Sequence, residues 1–162
     1  MAAEQETRTE NIINLCMDSY SMEKQCGRLY HRYTQSPVHF STLIEALYKM
    51  NDLYDEIGFP QASAGFRSFR PDYRKMEHTP GKSRDMDVQP GTKRKEVKEA
   101  ASLDHVMGHK GLDATFIIRV QYRRHASWQG EVTWVDGQKK EYFRSALELV
   151  KLMDSILGAE RR

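Results

Sequence analysis

Shifted back by 103 positions without a gap, residues 130–157 fall on residues 27–54, and this constrains the chain more than any other feature. Gly130 meets Gly27, Phe143 meets Phe40, Glu148 meets Glu45 and Met153 meets Met50. The conservative matches carry more weight. Ser145 meets Thr42, Leu147 meets Ile44, Val150 meets Leu47 and Ile156 meets Leu53. A duplicated unit restricts the fold to arrangements in which the two copies bury apolar faces together.

The second copy reads clearly. From Thr115 to Arg123, Phe116, Ile118, Val120 and Tyr122 alternate with Ile117, Arg119, Gln121 and Arg123, the period of a half-buried strand. Gly130 to Val135 gives a second strand, Asp136-Gly137 a hairpin signal, and Lys140 to Phe143 a third strand. Ser145 is placed to cap a helix, with Glu148 three residues on as in a capping box. Ala146, Leu149, Val150, Met153, Ile156 and Leu157 form its apolar stripe, and Gly158 ends it. In the first copy the stripe is Leu43, Ala46, Leu47, Met50, Leu53 and Tyr54, capped by Ser41 or Thr42 and stopping at Gly58 before Pro60. Ile12 to Tyr20 passes for a helix on propensity, but register with the second copy argues strand. One such unit of about 50 residues is marginal alone. The expected fold class is therefore α+β: a tandem β-β-β-α repeat with antiparallel sheets, one helix per repeat and a pseudo-two-fold axis.

Charge divides the chain into the same parts. Residues 1–60 carry −4, residues 61–112 carry +4 and residues 113–162 carry +2. Pro60, Pro71, Pro80 and Pro90 lie in or at the edge of the middle part, with Gly65, Gly81, Gly91, Gly108 and Gly111. Proline interrupts both ladders and helices. The expected organisation is a tail over 1–10, a first module over 11–60, a charged connector over 61–112, a second module over 113–158 and a tail over 159–162. Structureless connectors this long are uncommon inside compact domains and are generally functional or disordered.

Composition bounds the function. Of 162 residues, 39% are apolar and 30% charged, with a net charge of +2, so neither a polyanion nor a polycation is indicated. No apolar run is long enough to span a membrane. Met1 to Arg8 lacks the basic and apolar regions of a secretory signal. Cys16 and Cys26 are too few for a disulfide framework, which makes a reduced cytoplasmic compartment the expectation.

Catalytic and metal motifs are weak. His105 and His109 stand at the i, i+4 spacing of a zinc pair, but Val106 occupies the glutamate position of His-Glu-x-x-His and no third ligand is evident, so no metal is expected. Cys16, Cys26, His31 and His39 have no ligand spacing. Neither a Gly-x-Ser-x-Gly nor a phosphate-cradling glycine loop is present. No catalytic residue, no cofactor and no enzyme activity are expected. Arg70-Pro-Asp-Tyr-Arg74 with His125-Ala-Ser-Trp-Gln-Gly130 resembles the paired signatures of PilZ domains, which bind cyclic di-GMP. That resemblance implies arginines forking onto phosphates and guanine edges. His125 departs from the Asp/Asn of the second signature.

Two basic groups are candidate binding residues. Lys93, Arg94, Lys95 and Lys98 form a run interleaved with Glu96 and Glu99. Arg119, Arg123, Arg124 and Trp128 gather on a strand and its turn. Cations with an aromatic suit stacking on single-stranded nucleic acid. Arg and Trp are equally the favoured anchors of protein interfaces.

Trp128-Gln-Gly130 and Phe143-Arg-Ser-Ala-Leu-Glu-Leu149 resemble the C-terminal signature of small, uncharacterised cytoplasmic proteins of anaerobic Firmicutes. The similarity covers mainly residues 115–157, with weaker likeness from Tyr30 to Pro60. It implies a bacterial cytosolic source and carries over no activity. The functional expectation is a non-enzymatic binding module, a protein-interaction adaptor or regulator, with a homodimer admitted. The alternative is a single-stranded RNA or DNA binder, and behind it a cyclic-dinucleotide regulator.

Overall fold

The computed structural model describes residues 9–34, 36–62, 69, 100–123 and 127–158. The elements are β1 (Ile12–Tyr20), β2 (Gln25–Tyr30), β3 (Val38–Phe40), α1 (Leu43–Ile57), α2 (Leu103–Met107), β4 (Ala114–Tyr122), β5 (Gln129–Trp134), β6 (Lys139–Phe143) and α3 (Ala146–Leu157). The molecule is α+β. All six strands join one antiparallel sheet in the order β3-β2-β1-β4-β5-β6. Each three-stranded run forms a meander, and the two meanders meet at β1 and β4, where Asn14 lies opposite Ile117.

Alternation sorts the strands into two faces. Ile13, Leu15 and Met17 of β1, Leu29 of β2, and Phe116, Ile118 and Val120 of β4 point to the inner face. There Leu43, Ala46, Met50 and Tyr54 of α1 and Leu149, Met153 and Leu157 of α3 cover them as one continuous core. Leu47, Leu53, Val150 and Ile156 pack at its margin. The apolar stripes expected for both helices are thus their buried faces. Thr42 and Ser145 are the N-caps, their hydroxyls accepting from Glu45 N at 3.1 Å and Glu148 N at 3.0 Å. Glu45 and Glu148 reach back to the amides of Ser41 (2.7 Å) and Arg144 (2.9 Å).

Three features depart from expectation. The connector assigned to 61–112 is not uniform: residues 100–113 form a strap across the outer face of β1 and β2, and they include a third helix, α2. Ser102 caps α2 by accepting from His105 N at 3.2 Å. The strap is fixed at many points. Arg32 and Ala101 exchange two bonds, with Ala101 N donating to Arg32 O at 2.8 Å and Arg32 Nε to Ala101 O at 3.0 Å. Asn14 Nδ2 donates to Val106 O (2.8 Å) and His109 O (2.9 Å), and Asp113 N donates to Met17 O at 2.9 Å. Arg28 Nη2 donates to Lys110 O at 3.0 Å, while Gly111 N donates to Thr115 Oγ1 at 2.9 Å. Asn14 and Cys16 are fully buried although they belong to the outer face.

Second, Gly130 lies inside β5 opposite Val120, and Gly27 lies inside β2 opposite Met17. At these points the register shifts, between Met17 and Ser19 in β1 and between Val120 and Tyr122 in β4. A β-bulge pushes backbone toward the facing strand. A Cβ on Gly27 would stand 2.1 Å from Cys16 O, and one on Gly130 2.0 Å from Arg119 O. Third, the β5–β6 turn takes its positive φ at Gln138 (52°) rather than at Gly137. Gly137 instead makes room for the Trp134 ring, which a Cβ would meet at 2.0 Å.

Candidate interaction surface

The bulge in β4 decides where the candidate arginines go. Before it, Arg119 points to the outer face, opposite Glu131 of β5, which in turn faces Tyr142 of β6. Past it, Tyr122 pairs with Gln129, so alternation is offset by one and Arg123 turns to the inner side. Arg123 is 3% exposed. Its Nε donates to Pro60 O at 2.6 Å, and its Nη1 donates to Asn51 Oδ1 at 3.0 Å and Asp55 Oδ1 at 2.8 Å. The guanidinium also stands 5.5 Å from the Tyr54 ring centroid. Trp128 meets the same tyrosine edge-on at 5.7 Å and packs on the core. Arg123 and Trp128 therefore join β4 and β5 to the C-terminal end of α1. The expected cluster is split: Arg119 stands on one face, Arg123 and Trp128 on the other.

Of the remaining sequence candidates, Arg124, Lys93, Arg94, Lys95 and Lys98 lie outside the described residues, as do Arg70, Arg74 and His125 of the PilZ-like pattern. The Ser127 hydroxyl donates to Arg144 O at 2.8 Å.

The outer face of β4, β5 and β6 carries a charged ladder. Glu131 accepts from Lys140 at 2.8 Å and lies 3.9 Å from Arg119 Nη1. Its carboxylate raises the Lys140 pKa, chiefly through that hydrogen bond. Lys140 in turn lies 5.9 Å from the centroid of the Tyr142 ring, which is 67% exposed. β6 is the last strand of the sheet, and Lys139, Lys140, Glu141 and Tyr142 are all exposed. The hairpin signal at Asp136-Gly137 made Lys140 to Phe143 a returning strand, but its position at the sheet edge follows only from the pairing order. β3 bounds the other edge with three residues.

Where the strap meets β2 there is a cavity of about 260 Å³, lined by Tyr30, His31, Thr34, Ser36, Pro37, His105, Val106 and His109. His109 stacks on Tyr30 at 3.7 Å with planes 5° apart, and His105 meets His109 edge-on at 5.0 Å. Arg28 donates to the Tyr30 hydroxyl at 2.7 Å and to both oxygens of Asp18, at 2.8 and 2.9 Å. His31 is 2% exposed, its Nε2 bonded to Glu10 O at 2.5 Å and its Nδ1 accepting from Tyr33 N at 3.2 Å. That pattern defines a neutral ring with the proton on Nε2. Burial lowers the pKa of both His31 and His109; Arg32 adds to the effect at His31, and His105 and then Arg28 at His109. Among the described residues no group of three or more His, Cys, Asp or Glu is arranged to hold a metal ion. Cys16 lies buried beside Asn14, its thiol pushed up to about 11 mainly by desolvation.

No helix among the described residues is long and apolar enough to cross a membrane. No protein-family model, curated protein or solved structure matches the chain.

Proposed function

We propose that the protein is a non-enzymatic, protein-binding adaptor built from two β-β-β-α copies, and that it docks an extended segment of its partner along β6. The observation that carries this reading is the state of β6: the outermost strand of the sheet among the described residues, with four consecutive exposed residues, beside an outer face laid out as Arg119, Glu131, Lys140 and Tyr142. Edge strands offer a row of main-chain donors and acceptors, and partners exploit them by adding a strand. Tyr142 supplies the amphipathic anchor and the charged ladder supplies register.

The duplication reading draws support from the register. An offset of 103 residues carries Gly27–Phe40 onto Gly130–Phe143, each a cross-strand pair, and carries the bulge at Met17/Ser19 onto that at Val120/Tyr122. It also carries Asn14 onto Ile117, its own partner, as a pseudo-two-fold axis through that pair would require. The copies then differ where it matters: the strap covers the outer face of one, and β6 borders the ladder of the other. The bacterial, cytoplasmic setting belongs to this proposal, by the likeness of residues 115–157 to the Firmicute signature.

The test uses proline. Lys140 and Glu141 are adjacent, so one directs its N–H to β5 and the other to the open side. Proline is tolerated only at the latter. Tagged wild type and the better folded of Lys140→Pro and Glu141→Pro would be used to capture proteins from nuclease-treated native lysate. A protein held by wild type and lost by the folded proline variant is the expected result. Equal capture by both overturns docking at β6. Material that vanishes with nuclease transfers the role to nucleic acid, for which binding falls steeply with salt.

A further inference from the structure

We propose that the strap of residues 100–113 is a proton-sensitive cover, held on the outer face of β1 and β2 by neutral imidazoles and released when they gain a proton. Three placements carry the inference. His109 lies flat on Tyr30, and its Nε2 is shut away from solvent with no hydrogen-bond partner among the described residues. A proton added there creates a buried cation that lacks an acceptor. His31 uses its Nδ1 as an acceptor for Tyr33 N, so a second proton sets two donors against each other. It also adjoins Arg32, whose backbone and side chain hold Ala101 at the start of the strap. Both rings line the same cavity, His109 from the strap and His31 from the turn that follows β2.

The charges around the two rings reinforce the effect. Arg28, from β2, faces Tyr30 and lies near His109; His105, from α2, meets His109 edge-on; Arg32 lies beside His31. Asp18 pairs with Arg28 through both oxygens, and its Oδ1 also accepts from Leu112 N at 3.3 Å. Glu10 opposes the effect at His31, through its backbone carbonyl and its own charge, and burial outweighs it.

The sign follows from linkage. Both rings have pKa values below that of a free imidazole when the strap is closed, so the open form binds more protons. Closure is complete above pH ~6.5 and is lost as pH falls below it. Asp18 is held low by Arg28 and keeps its charge through this window. Between pH 7.5 and 5.5 each freed imidazole can shift the opening equilibrium by at most about tenfold, the limit set by a free ring. Opening bares Asn14, Cys16 and Tyr30 on the outer face of β1 and β2.

Hydrogen exchange at the two pH values, normalised to intrinsic rates, tests the inference. The amides of Ala101, Gly111 and Asp113 report the strap; those of β1 and β4 report the global fold. Strap protection is expected to fall severalfold at pH 5.5 while the central ladder holds. His109→Phe keeps the stack on Tyr30 without a titrating nitrogen, and is expected to reduce that fall measurably. Equal strap protection at both pH values overturns the proposal, as does a parallel loss from β1 and β4. A full-sized fall in His109→Phe overturns the role of His109. Should that variant not fold, the wild-type comparison decides alone.

Discussion

Gly27 and Gly130 show how much a single missing methyl carries in this sheet. Each faces a bulged strand whose carbonyl occupies the space of a Cβ, and each is covered across the ladder by a phenylalanine, Phe40 or Phe143. Gly27→Ala and Gly130→Ala are each expected to lower unfolding free energy by about 1–3 kcal/mol, read from urea midpoints. Arg123 makes a complementary case. Its fork meets a carbonyl, an amide and a carboxylate at three fixed points, a pattern an ammonium does not reproduce. Arg123→Lys is expected to cost about 2 kcal/mol in thermal or chemical denaturation, because the buried Pro60 carbonyl loses its donor. The glycines were legible in the sequence as matched positions, though not their reason. Arg123 was misleading there: strict alternation puts it beside Arg119, and only a bulge, which leaves no mark in composition, turns it inward.

At the level of elements, what the sequence showed best were the helices. Periodic apolar residues and a Ser/Thr with Glu three positions on located both N-termini, since caps and stripes are local properties. Thr42→Ala and Ser145→Ala are each expected to cost about 1 kcal/mol, and the double variant close to their sum, because the two caps share no partner. Guanidinium or urea titration of the three variants gives the comparison. α2 escaped because five residues carry no period. It exists by virtue of Ser102, of Val106 buried against β1, and of the bonds from Asn14, a contact 92 residues away in sequence. The ladder of Arg119, Glu131 and Lys140 escaped for the same reason, since it needs the pairing of three strands to assemble.

Across the whole molecule, strand identity was readable and strand order only in part. The expected repeat implied two meanders, yet nothing in either told which strand of one would lie against which of the other. The structure answers with β1 against β4, the first strand of each. That choice leaves both short outer strands as edges and sets both helices on one face, so the two sides of the sheet meet different surroundings. One side is a continuous apolar core. The other is divided into a strapped half and an open, charged half, and both functional proposals belong to it.

The pairing of Asn14 with Ile117 also governs how the chain can reach this state. Each meander closes through short turns, whereas the β1–β4 ladder must bring together segments separated by about a hundred residues of chain. Docking the halves is thus the slow, entropy-limited event, and the intervening stretch acts as a tether. Its length enters only logarithmically: doubling it would add about 0.6 kcal/mol to closure. A change of chain length between the two meanders therefore costs the β1–β4 ladder little in closure entropy.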